Sequence, residues 1–253
     1  MLVNDPVTQA RLDLATALRS AARHGLNEGV CNHFSMAVPG RGDLFLVNPQ
    51  GLHWSEVTPS DLVIADFAGN VVEGHFPVEA SAFYIHARIH AGKPGAAAVL
   101  HTHMPYATAL TSIQDGRIEM CTQNAFRYWD RIAYDETYGG VALSTTEGDR
   151  ICRALGDKDI LFLRNHGIIV CGPTMAEAYE DLYYLERAAM VQVLALQTGR
   201  PLQLIDDACA RQTAEQIAAD TQQAFLHFEA LKRMLDRDEP GWRKSGQLER
   251  TGV

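Results

Sequence analysis

Apolar positions at helical spacing run through Arg11-Leu12-Asp13-Leu14-Ala15-Thr16-Ala17-Leu18, after Pro6 and before His24-Gly25, and predict a first helix closed by glycine. The pattern then switches to short runs with tight turns. Phe34 to Val38 and Leu44 to Val47, joined by Pro39-Gly40-Arg41-Gly42-Asp43, predict two strands. Asn48-Pro49-Gln50-Gly51 breaks the second, since proline cannot donate to a ladder. Leu62 to Asp66 and Val71 to Glu73 add two more strands around Ala68-Gly69-Asn70, and such close spacing predicts antiparallel pairing. Helical intervals return from Pro77 to His90, with Pro77 at the first helical position.

After Gly92 to Gly95, the run Ala96 to Leu100 predicts a strand ending in His101-Thr102-His103, and Pro105 to Leu110 a short helix. Within Gln114 to Gly140, strands are expected near Ile118 to Cys121 and Arg131 to Tyr134. Ser144-Thr145-Thr146-Glu147 is a capping box for a helix that Gly156 closes, and Thr174-Met175-Ala176-Glu177 opens a longer one reaching Gly199. Between them, Asp159 to Arg164 and Ile168 to Cys171 are apolar strands around the turn Asn165-His166-Gly167. A last helix is expected from about Asp207 to Arg237, then a loose tail from Glu239 to Val253 with Trp242 as its only large apolar group. The sum is a single mixed α/β domain over residues 1–205, with helices on the faces of a largely antiparallel sheet, a helical extension over 206–238 and the tail over 239–253.

Composition narrows the function classes. With 253 residues, 47% hydrophobic, the chain can bury a large core, and a net charge of -9 without any basic run argues against nucleic acid as a partner. Apolar runs such as Ile160 to Leu163 fall far short of the ~20 residues a membrane span needs. Acidic Asp5 and Asp13 in the first 23 residues speak against a signal peptide. Cys31, Cys121, Cys152, Cys171 and Cys209 form no CxxC and are odd in number, so reduced thiols and a cytoplasmic location are expected.

Candidate chemistry sits on the histidines. On a strand, His101 and His103 project from one face, which fits either a metal pair or two solvated rings at a strand end. His166, anchored between two apolar strands, would complete a three-histidine divalent metal site with an open position, or else is a turn residue bonding local backbone. Glu79, in the first turn of the Pro77 helix, is either a general acid/base beside that metal or a carboxylate placed to suit the helix dipole. His24, His33, His53, His75, His86, His90 and His227 are expected at the surface or at caps; His86 and His90, four apart, could bind a metal by spacing, but they sit where a helix end favours cations anyway.

Pro77-Val78-Glu79, then Val99-Leu100-His101-Thr102-His103-Met104-Pro105-Tyr106-Ala107-Thr108-Ala109-Leu110, then Asn165-His166-Gly167, in this order, resemble the class II aldolase and adducin N-terminal domain family, which includes L-fuculose-phosphate aldolase. The resemblance spans roughly Leu12 to Leu204, and Asn48 to Glu56 with Thr58 to Val63 is similar to its adducin-type branch. It implies a three-layer α/β/α fold, His101, His103 and His166 as ligands of one divalent metal (zinc first, manganese or iron as alternatives), Glu79 as the proton-transfer residue, and a homotetramer with active sites between subunits.

Departures from the family pattern bear on the substrate. Family sugar-phosphate enzymes hold phosphate with hydroxyl and glycine loops; the matching places here are Cys31-Asn32, Gln50-Gly51 and Pro77-Val78, which have largely lost hydroxyl donors. A small, non-phosphorylated hydroxy-carbonyl substrate is therefore expected, with Asn32, Gln50, Gly51 and Arg127 as candidate contacts, Arg127 through a carboxylate. The family's tyrosine acid would fall near Asn124, leaving Tyr128, Tyr134 and Tyr138 as undecided substitutes. The implied activity is a metal-dependent carbon–carbon lyase working through an enediolate, with decarboxylation of a hydroxy or aromatic acid, or a non-enzymatic adducin-like interaction domain, as alternatives.

Overall fold

Residues 5–243 are described by a computed structural model. In chain order the elements are α1 (Pro6–Arg23), β1 (His33–Val38), β2 (Arg41–Val47), β3 (Val63–Asp66), β4 (Val71–Glu73), α2 (Ala80–Gly92), β5 (Ala98–Thr102), α3 (Pro105–Thr111), α4 (Gln123–Phe126), β6 (Ile132–Asp135), α5 (Thr145–Leu155), β7 (Ile160–Leu163), β8 (Ile168–Gly172), α6 (Met175–Leu196), α7 (Asp207–Ala219) and α8 (Gln223–Asp238). The strands form one eight-stranded sheet in the order β4-β3-β2-β1-β5-β8-β7-β6, antiparallel except for the β6–β7 pair. Strands joined by short turns pair antiparallel, while β6 reaches β7 through α5 and so pairs parallel.

Alternation along the strands fixes which helices cover which face. Phe34, Leu46, Leu100, Phe162, Ile168 and Val170 pack with Leu14 and Leu18 of α1, Leu110 of α3, Leu182 and Leu185 of α6 and Leu235 of α8. The intervening positions Val99, Leu161, Leu163 and Ile169 face Ile85 and Ile89 of α2 and Ile151 of α5. The expected three-layer α/β/α domain with a largely antiparallel sheet is thus what the chain builds.

Several local expectations need correction. The helix expected from Pro77 begins at Ala80, with Glu79 as its N-cap residue. Ile118 to Cys121 forms no strand: the Ile118 N–H donates to the Tyr134 hydroxyl and the Glu119 N–H to Gln192 Oε1, so side chains take the donors a neighbouring strand would have used. Short α4 follows instead, capped by Thr122. The single helix expected from Asp207 is two, interrupted at residues 220–222. At the tail, Glu239 accepts from Arg19 and Arg23, and Trp242 is buried, so residues 239–243 are docked; the rest of the expected loose tail lies outside the described residues.

Candidate metal centre

β5 and β8 lie side by side, with His101 opposite Ile169 and Thr102 opposite Ile168. His103 follows one residue beyond β5 and His166 sits in the turn before β8, so both project from the same end of the sheet. Asn165 holds φ 53°, a left-handed conformation asparagine tolerates, and the turn closes through Leu163 N–H to Gly167 O at 2.9 Å. Gly167 leaves the room that His103 occupies: a Cβ there would lie 2.5 Å from His103 Cδ2 and 2.8 Å from Thr102 O.

The three rings meet edge to face at centroid separations of 5.1, 4.9 and 4.9 Å, and one ligand atom from each lies within 4.8 Å of the other two. His101 Nδ1 is 3.0 Å from Ile168 O, a pure acceptor, so Nδ1 carries the proton and Nε2 is the lone pair. His103 Nδ1 bonds the Glu28 carboxylate, which fixes the same tautomer, and its Nε2 is buried with no protein partner. A buried nitrogen lone pair without a donor, facing two further imidazoles, is what a divalent ion would satisfy.

Burial above all, then the neighbouring His33, His166 and His103, holds the His101 imidazole well below its usual range. Burial and His103 push His166 down to about 4, opposed by Glu147 and Glu28. Neutral rings are the ligating form. Beside His166 a cleft is lined by Tyr138, Gly139, Glu147, Arg150 and Arg164.

Glu79 stands one imidazole away from the cluster. Its Oε2 is 3.6 Å from His33 Nε2, and the His33 ring lies 4.9 Å from that of His101, its register partner across β1 and β5. The carboxylate does not cap α2; its Oε1 accepts from the Ser81 hydroxyl at 2.5 Å, so dipole complementation alone does not describe it. His33, His86 and His90, expected at the surface or at caps, are instead buried and joined through Ser35 in one hydrogen-bonded line between α2 and the sheet. His24 bonds Tyr179, and His227 the buried Glu180. Sequence spacing carried a signal for two members of the line, the i, i+4 pair His86 and His90; Glu28 and Ser81 carried none.

The expected substrate contacts are scattered. Asn32, at φ 72° and 4% exposed, turns its amide oxygen to the His103 N–H at 3.3 Å and so braces the His103 segment. Gln50 and Gly51 are exposed in the loop after β2, beside the Glu79 segment through Gln50 N–H to Pro77 O at 3.0 Å. Arg127 is held on α6, 3.5 Å from Glu180 and over the Tyr184 ring, and none of these partners belongs to the histidine cluster. Of the three tyrosines, Tyr128 is buried and donates to Asp181 O, and the Tyr134 hydroxyl accepts from Ile118 N–H; Tyr138 is 54% exposed and lines the His166 cleft.

Comparison with known proteins agrees with this architecture. Residues 12–193 match the family model of the class II aldolase and adducin N-terminal domain. A Caulobacter vibrioides protein whose name places it with the class 2 aldolases is 35% identical over 95% of this chain and 94% of its own. The decarboxylase NovR of Streptomyces niveus is 31% identical over 81% of this chain and 76% of its own. Among solved structures, an aldolase II superfamily protein from Pseudomonas syringae superposes with a TM-score of 0.89 at 32% identity, over 96% of this chain and 98% of that one. With the fold, the ordered motifs and these relatives in agreement, the chain belongs to the class II aldolase and adducin N-terminal domain family.

Proposed function

We propose that this protein is a divalent-metal-dependent carbon–carbon lyase acting on a small, non-phosphorylated hydroxy-carbonyl compound. The observation that carries the reading is the orphaned His103 Nε2, buried among three converging imidazoles whose free nitrogens lie within 4.8 Å of one another. His101, His103 and His166 would hold the ion, zinc first and manganese or iron as alternatives. When bound, the metal supplies a Lewis acid that polarises the substrate's carbonyl and hydroxyl oxygens.

The chain's own residues do the rest. Ile168 O and Glu28 fix which nitrogens of His101 and His103 face the ion. Glu79 takes or returns the proton at the carbon next to the carbonyl, from a carboxyl that Ser81 orients. Tyr138, which lines the His166 cleft, is the candidate to donate to the departing oxygen, since the Tyr128 and Tyr134 hydroxyls are bonded elsewhere. The three family loops offer phosphate fewer donors than hydroxyl-bearing loops would: Cys31-Asn32, Gln50-Gly51 and Pro77-Val78 carry no Ser or Thr, Cys31 N–H donates to Glu28 O, Gln50 N–H to Pro77 O, and Pro77 has no N–H.

Decarboxylation is the second reading, favoured by the likeness to NovR over most of both chains and by its chemistry: losing carbon dioxide or an aldehyde leaves the same kind of carbanion beside a polarised carbonyl. The test is a screen of unphosphorylated hydroxy-ketones and hydroxy-acids, read by NMR for exchange of the carbon-bound proton with solvent. Exchange by the metal-loaded protein, falling about 10²-fold or more in Glu79→Gln, is expected. Reaction confined to sugar phosphates overturns the substrate class, and undiminished exchange in Glu79→Gln overturns the role of Glu79.

A further inference from the structure

The buried line between α2 and the sheet has a polarity that its chemistry dictates. Ala96 O only accepts, so His90 Nδ1, 3.1 Å away, carries its proton. In the neutral ring Nε2 is then an acceptor, and it takes the Ser35 hydroxyl proton at 2.7 Å. Ser35 Oγ, its proton spent, accepts from His86 Nδ1. That leaves His86 Nε2 to accept from His33 Nδ1 at 2.8 Å. The line ends at His33 Nε2, a lone pair 3.2 Å from Ser81 Oγ and 3.6 Å from Glu79 Oε2.

His33, Ser35, His86 and His90 are 2, 0, 0 and 7% exposed, and a chain with one proton per link needs no buried charge. Burial also holds the His86 ring well below its usual range and His90 at about 4, in keeping with neutral members.

We propose that this histidine line fixes the tautomer of His33 and thereby makes the Ser81 hydroxyl a two-position rotor serving Glu79. Ser81 has one proton and two acceptors, Glu79 Oε1 at 2.5 Å and His33 Nε2 at 3.2 Å. When Glu79 is ionised, the hydroxyl donates to its Oε1. When Glu79 has taken a proton, its carboxyl donates to Ser81 Oγ, and the hydroxyl turns to His33 Nε2. The proton count closes in both states: Glu79 alone gains or loses a proton, while Ser81 and His33 keep theirs. A carboxyl hydrogen-bonded equally well loaded and unloaded suits a residue that must both take and return a proton. His33, Ser35, His86 and His90 are positioning residues acting through Ser81; the inference rests on the reading of Glu79 as proton carrier.

The tautomers are measurable without a substrate. Long-range proton–nitrogen NMR on the full chain, labelled with 15N histidine and supplied with diamagnetic zinc, is expected to show His33, His86 and His90 all with protonated Nδ1 and bare Nε2. Substitution Ser35→Ala is expected to let His86 and His33 mix tautomers. A proton on His33 Nε2 or His86 Nε2 in the unaltered protein, or Ser35→Ala spectra identical to it, overturns the proposal. In the carbon-proton exchange assay, Ser81→Ala is expected to lose about tenfold or more with its metal content intact, and Ser81→Thr to recover most of the rate. An unchanged rate in Ser81→Ala contradicts the rotor. Absence of any exchange in the unaltered protein contradicts the proposed lyase function and leaves the tautomer result to stand or fall alone.

Discussion

His103 gains its role from neighbours that are remote in sequence. Its ring lies over Gly167, its N–H is taken by Asn32 and its Nδ1 by Glu28, so this candidate ligand is braced from two other parts of the chain. Removing the charge of that brace in Glu28→Gln is expected to weaken metal affinity by about tenfold or somewhat more, measured by competition with a chelating dye, while thermal stability stays close to that of the unaltered chain. Equal affinities would mean that Glu28 does not orient the ligand. The grouping of His101, His103 and His166 was legible in the sequence because residues two apart along a strand share a face and a turn between apolar strands is rigid. Glu28 was not, since no spacing rule ties a loop carboxylate to a histidine 75 positions away. The buried histidines failed for a related reason: His33 and Ser35 share a strand face, but only the packed sheet shows that α2 lays His86 and His90 against it.

At the scale of elements, the helices with caps and the strands with clear alternation were readable. Ser144 and Thr174 both accept from the N–H three residues on, as capping boxes require, although Glu147 turns to Arg150 and Glu177 accepts from the Thr174 hydroxyl instead of its N–H. Weakly periodic stretches were not readable, because tertiary partners decided them: Tyr134 and Gln192 side chains hold residues 118–119. One tertiary pairing has a pH signature. Glu186 of α6 accepts from Tyr106 N–H and Ala107 N–H at the start of α3, and burial pushes its carboxyl from 4.5 up to about 7 against the pull of those two donors. Between these values the native chain holds a proton that the unfolded chain has released. The stability this carboxyl contributes is therefore fully present below about pH 4.5 and is lost as pH rises through about 7, by up to ~3 kcal/mol. Urea unfolding across this window is expected to show Glu186→Gln gaining on the unaltered protein as pH rises. Parallel curves would contradict it; His86 and His90, whose lowered values act in the opposite sense, cancel in the difference.

For the whole molecule, helices on the faces of a largely antiparallel sheet followed from strand spacing and helical periodicity, and the three layers from the family resemblance, whereas the closing of the chain end did not. Trp242 read as the lone apolar group of a polar tail, yet it is 4% exposed, donates to Asp236 and lies in the main core cluster with α1 and α8. Arg19 and Arg23 of α1 clamp Glu239 beside it. Trp242→Ala is expected to cost about 3 kcal/mol or more in urea unfolding, as for a buried aromatic; a loss under ~1 kcal/mol would restore the reading of a loose tail. Among the described residues no helix is long and apolar enough to cross a membrane.

The proposed chemistry requires that three imidazoles hold one ion. Elemental analysis of the purified chain after dialysis, beside His103→Ala, addresses this most directly. One zinc, manganese or iron per chain in the unaltered protein and less than about a tenth of that in the variant is expected, since removing one of three ligands leaves a weak pair. A chain that retains no stoichiometric metal under conditions of excess ion, or a His103→Ala variant that retains it fully, would contradict the metal centre and the lyase built on it.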